Sequence, residues 1–119
     1  MISHIRTARE VNALRLQVSL EDLPGDQIVS GHPQTGFVEL GAFSNVDIGI
    51  WEHSVGVSTD IETNEVFIVL SGTAIIEFLD SQKEQINVQS GSIVQLEEGM
   101  KTRWNVTETL RKIYLAPSA

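Results

Sequence analysis

Glu65 opens the stretch "TNEVFIVLSG" (63–72), a charged side chain at the head of an apolar run. A carboxylate so placed has three uses: oxygen ligand to a metal, general acid or base, or hydrophilic lip of a strand. Strand alternation puts Glu65, Phe67 and Val69 on one face and Val66, Ile68 and Leu70 on the other. If the Glu65 face is the inner one, an unpaired carboxylate there is pushed toward its neutral form, the environment of a general acid or base. Thr102 and Trp104 share a second such parity, with Val106 beyond them, and Trp104 offers either core filling or an aromatic wall for a small planar or cationic ligand. Trp51 and Glu52 pose an either-or: one of the two faces inward, and Glu52 is a candidate second carboxylate.

The basic residues are unevenly spread. Lys101, Arg103, Arg111 and Lys112 make up half of the eight Lys and Arg, all near the C-terminus. Lys101, Arg103 and Arg111 read as a solvated edge that offsets the acidic surface and discourages edge-to-edge pairing. Lys112 and Tyr114 share a face of the last strand, and for Lys112 the solvated edge and a place at the barrel mouth or beside a carboxylate both stay open.

The elements that must position these groups are short. "FVELGAF" (37–43) and "VDIGIWEH" (46–53) flank Ser44-Asn45; "EVFIVL" (65–70) and "TAIIEFL" (73–79) flank Ser71-Gly72, which reads as a hairpin turn. "QINV" (85–88), "SIVQL" (92–96), "TRWNV" (102–106) and "RKIYL" (111–115) complete the series, the last two predicted as a pair joined through "TETL". No 3.6-residue periodicity is sustained, so the pattern predicts an all-β sandwich or barrel. Residues 1–29 read as an N-terminal arm, with a helical turn or two or an added edge strand, and residues 30–119 as a single domain.

Composition narrows the function classes. The chain has 119 residues, enough for one domain with a real core, and its 8 Lys and Arg against 16 Asp and Glu give a net charge of −8. Such a surface repels phosphate backbones and anionic lipid heads, so neither nucleic acid nor membrane is expected as a partner. The absence of cysteine removes disulfides, thiolate metal sites and a cysteine nucleophile. No signal-type apolar run opens the chain, and the longest anywhere, "VFIVL", is five residues; a cytoplasmic protein is expected.

Glycine spacing and strand order resemble a cupin, the small double-stranded β-helix or jelly-roll barrel. More narrowly, "SGHP" (30–33), "GIWEHSVG" (49–56), "NEVFIVLSG" (64–72) and "SGSIVQLEEGMKTRWNVTETLRKIYL" (90–115) resemble the (S)-ureidoglycine aminohydrolase-type cupins and their ethanolamine-utilisation relatives. In metal-binding cupins two histidines precede the motif glutamate and a third follows the glycine corner. Here those places hold Thr59 and Ile61, or Ser58 and Asp60, and then Thr102; Glu65 alone matches. One carboxylate with hydroxyl neighbours holds a transition metal poorly, and His4, His32 and His53 show no ligand spacing. No metal and no cofactor are therefore expected. The rival is an unusual site built from Asp60, Glu65 and His53.

By this resemblance Glu65 is the catalytic candidate, while Trp51, Glu52, Phe67, Thr102, Trp104, Lys112 and Tyr114 line a pocket for a small polar metabolite, an amine or a carboxylate. Acid–base or hydrolytic chemistry on a nitrogenous compound is one expectation; a non-catalytic binding or accessory domain is the other. Cupins of this kind commonly dimerise, and "LRLQV" (14–18) suits an edge, so a homodimer is expected.

Overall fold

The computed structural model describes residues 9–119. His4 and the start of the predicted arm lie outside the described residues. Among the described residues nine strands follow in order: β1 (Glu21–Asp22), β2 (Ile28–Gly31), β3 (Gln34–Phe43), β4 (Val46–His53), β5 (Gly56–Ile61), β6 (Glu65–Leu79), β7 (Ile86–Val88), β8 (Ile93–Leu96) and β9 (Lys101–Pro117). All pairings are antiparallel. Among the described residues there is no α-helix, and none is long and apolar enough to cross a membrane. The all-β cupin barrel expected from the sequence is what the chain forms.

Two strands dominate. β6 and β9 run beside each other from Val66↔Leu115 to Leu79↔Lys101. The N-terminal half of β6 also pairs with β8, and its C-terminal half pairs with β7. Likewise β4 pairs with residues 110–117 of β9 and β5 with residues 101–106. Each long strand therefore belongs to both walls of the barrel, and the register shifts between Val69 and Ala74 mark the crossing.

This corrects two sequence readings. Ser71-Gly72 is not a hairpin turn, and 102–106 and 111–115 are not a hairpin pair; each predicted pair is one continuous strand with an irregularity at its middle. A Gly with positive φ serves a bulge as well as a turn. Gly72 has φ +88°, and a Cβ there would overlap the Thr109 carbonyl, so glycine lets the two bent strands touch. Ser44-Asn45, by contrast, does turn β3 into β4, both residues with positive φ.

The barrel interior is filled by Phe67, Val69, Ala74, Ile76, Val88, Leu96, Trp104, Val106 and Leu110. A second cluster lies outside it. Val11, Ala13, Leu16, Val18 and Leu20 pack on Val38, Leu40, Ile48 and Ile50 of β3 and β4. "LRLQV" is thus not a strand but a turn-containing strap over the outer face, and its Leu16 and Val18 are used within the chain. Arg111 fastens it: Nη1 donates to the Ala13 and Leu16 carbonyls at 2.9 and 2.6 Å. Arg111 is therefore a clamp for the strap rather than the solvated edge residue read from the sequence.

Candidate functional site

One end of the barrel holds a cavity of about 390 Å³. Trp51, His53, Ser58, Asp60, Glu62, Glu65, Trp104, Lys112 and Tyr114 face it, with Leu23, Phe37 and Ile61 at its borders. Antiparallel register explains the convergence. Trp51 is opposite Lys112, and Gly49 is opposite Tyr114, on one face of the β4–β9 pair. Gly49 is required there: any Cβ would overlap the Tyr114 ring.

At the back of the cavity Lys112 Nζ donates to Glu65 Oε2 at 2.6 Å. The pair is largely withdrawn from solvent, with side chains 5% and 16% exposed. Lys112 stands opposite Val69, so its side chain runs along the inner face over Phe67 to reach Glu65. Nζ lies 4.4, 4.3 and 4.9 Å from the ring centroids of Trp51, Phe67 and Trp104. Lys112 is thus the inward, carboxylate-paired residue of the two readings its sequence position allows.

Beside it Glu62, missed by the sequence reading, organises a second network. Its Oε2 accepts from the Thr102 hydroxyl and from Trp104 Nε1, the latter at 2.9 Å. Trp104 Nε1 also reaches Thr102 Oγ1 at 3.1 Å, which pins the indole. Trp104 is consequently both core and wall. A parity signal for Glu62 exists: Ser58, Asp60 and Glu62 continue one inward row from β5.

His53 is buried, and burial lowers its pKa despite the opposing hydrogen bond to Ser54. The imidazole is neutral with a definable tautomer. Nδ1 lies 2.6 Å from the Ser54 carbonyl, which only accepts, so Nδ1 carries the proton and Nε2 accepts from Ser58 Oγ at 2.8 Å. Asp60 has a raised pKa, first through burial and then through the nearby charge of Glu62. Tyr114 is pushed up to about 12, mainly by burial and then by Glu39 and Asp47, so its phenol keeps its proton.

Of the residues predicted to form the pocket, Glu65, Trp51, Trp104, Lys112 and Tyr114 face the cavity. Phe67 is fully buried behind Lys112. Thr102 points inward but is sealed beneath Glu62. Glu52 is the correction. Trp51 takes the inward place, so Glu52 faces the strap side, where Oε1 accepts from Arg111 Nε at 3.1 Å.

The donor set does not fit the metal of histidine-bearing cupins. No group of three or more His, Asp or Glu side chains converges to hold a metal among the described residues. Of the rival set, Glu65 is engaged by an ammonium and both His53 nitrogens are engaged by Ser54 and Ser58. The places of the histidines hold Thr59 and Ile61, or Ser58 and Asp60, and then Thr102, none of which supplies an imidazole.

Residues 40–114 match the model of the EutQ-like cupin domain. The chain belongs to the EutQ-like cupin family. This EutQ-like cupin is similar to solved structures in which it shares the fold at low identity. A putative ethanolamine utilization protein Q from Salmonella typhimurium LT2 is 15% identical, with a TM-score of 0.61 over 87% of this chain and 97% of that one. The EutQ protein of Clostridium difficile is 19% identical, TM-score 0.60, over 83% and 81%. A DUF861-family protein of unknown function from Pseudomonas syringae reaches TM-score 0.70 at 18% identity, over 85% of this chain and 44% of that one. No curated protein matches this EutQ-like cupin.

Asp60 and His53 give opposite pH slopes. The folded chain holds the Asp60 proton more tightly than the unfolded chain does, so stability falls as pH rises from 3.8 through the raised value. Asp60→Asn should match wild type in acid and become the more stable protein as pH rises above 3.8. His53 works the other way: below 6.5 the unfolded chain takes up a proton that the buried ring refuses, and stability is lost. Urea denaturation of wild type and Asp60→Asn across this range checks it; curves that stay parallel at every pH contradict it.

Proposed function

We propose that this cupin binds a small polar metabolite, an amine or a carboxylate, in its barrel cavity without the histidine metal site. The observation that carries the proposal is the composition of the 390 Å³ cavity, whose lining combines the faces of Trp51 and Trp104 with Asp60, Glu62, Glu65 and Lys112. Apolar walls with a few placed polar groups are the usual make-up of a small-molecule site. An amine would be met by Asp60 at the more open side, whereas the Lys112 ammonium is already held by Glu65.

Two forms of the proposal differ in chemistry. In the catalytic form Glu65 moves a proton in an acid–base or hydrolytic step on a nitrogenous compound, as in the aminohydrolase-type relatives suggested by the sequence. In the non-catalytic form the cavity senses or stores its ligand. The 2.6 Å contact with Lys112 favours the second, because Glu65 is already engaged by an ammonium of the chain and is not free to meet a ligand. Asp60, whose raised pKa leaves it readier to hold a proton, is the better placed acid.

A thermal-shift screen of small amines and carboxylates, followed by a search for product, tests this. The expected outcome is a compound that stabilises wild type and loses its effect in Trp51→Ala. Binding without conversion supports the non-catalytic form. Conversion that disappears in a folded Glu65→Gln protein supports the catalytic one. A screen in which no small amine or carboxylate stabilises the chain contradicts both.

Homodimerisation is also part of the proposal, supported by Phe43 and Ile93, large apolar side chains 75% and 70% exposed. Light scattering at micromolar concentration should return the mass of two chains; the mass of one would contradict it.

A further inference from the structure

Lys112 differs from the basic residues around it. Lys101 and Arg103 make their ion pairs with Asp80 and Glu77 at the surface, with much of each side chain in solvent. The Lys112 ammonium instead sits in a box. Three of its sides are aromatic, with centroids 4.3–4.9 Å from Nζ. Trp51 and Trp104 meet at 5.4 Å and 58°, and Phe67 and Trp104 at 5.7 Å and 41°, so the rings are inclined walls rather than a stack. Glu65 supplies the charge at the remaining side. Tilted aromatic faces plus one carboxylate are the chemistry that recognises an alkylammonium ion.

We infer that Trp51, Phe67, Trp104 and Glu65 form an alkylammonium-binding site which the chain fills with its own Lys112 side chain. A tethered organic cation thereby neutralises the carboxylate that metal-binding cupins give to a metal. The inference concerns the chain alone and holds whatever molecule occupies the cavity in front. It also accounts for the metal-ligand misfit in chemical terms. A divalent ion would have to displace a charge that the barrel cannot release, and it would find hydroxyls where imidazoles are needed.

Truncating Lys112 to alanine removes a fragment with the size and charge of n-propylammonium. The purified full-length Lys112→Ala protein should therefore melt below wild type and recover, by a concentration-dependent rise of several degrees, in millimolar n-propylammonium chloride. Sodium chloride or propan-1-ol at the same concentration should not restore it, and neither wild type nor Lys112→Ala/Glu65→Gln should respond to the amine. Equal rescue by propan-1-ol, or no rescue of a folded Lys112→Ala protein, overturns the inference. Should Lys112→Ala fail to fold, wild type carries the test through reductive methylation with 13C-formaldehyde. Lys112 should react about an order of magnitude more slowly than Lys83, which is exposed in the loop between β6 and β7, and show side-chain protons shifted upfield by the rings. Reaction at the rate of Lys83, with unshifted protons, overturns the inference as well.

Discussion

A charge inside a small β-barrel must be neutralised by a partner within reach, and the Lys112–Glu65 contact is where this fold meets that constraint. Taking an ammonium and a carboxylate out of water costs several kcal/mol per ion in real proteins, on the order of the whole stability of a domain this size. Direct contact at 2.6 Å and three aromatic faces offset that cost. The rest of the site is arranged around it. Trp51 and Trp104 stand inclined to each other at 58° to wall the ammonium, and Trp104 is held there by Glu62 and Thr102.

The strand plan makes this possible. β6 and β9 are adjacent along almost their whole length, so Glu65 at the head of one and Lys112 in the second half of the other share an inner face. The same two strands bend near Gly72, which sends Thr102 and Trp104 into the opposite wall but still facing inward. Outside, the strap of residues 11–20 covers β3 and β4 and is tied through Arg111 and Glu52. Neighbouring residues thus do opposite work: Trp51 and Lys112 build the cavity, while Glu52 and Arg111 lock its outer cover.

Much of this was legible from residue order, and the failures have physical causes. Period-2 alternation grouped Phe67 with Val69, and Thr102 with Trp104 and Val106, and each group lies buried as a unit because a one-residue slip would expose the whole row. The Trp51–Glu52 choice was open because alternation fixes which residues share a face but not which face is inside. Ser71-Gly72 misled because a positive-φ glycine suits a bulge and a hairpin alike, and only the long-range pairing with β9 tells them apart. Glu62 escaped notice because it lies in the loop after β5, where strand parity formally ends, although it continues the inward row of Ser58 and Asp60. The strap is compatible in sequence with a helical turn or an edge strand, since apolar alternation in 14–18 does not say what it packs on; its seat on β3 and β4 depends on residues distant in the chain.

The central claim is that Lys112 and Glu65 act as one neutral unit inside the barrel. A double-mutant cycle by chemical denaturation tests it directly, using Glu65→Gln, Lys112→Met and the pair together. Each single change leaves a buried charge without its partner and is predicted to destabilise the chain by about 3 kcal/mol, whereas the double variant, with no charge left to neutralise, should be no less stable than either single one. Additive losses, with the double variant about 6 kcal/mol below wild type, would show that the two side chains do not depend on each other and would contradict the account.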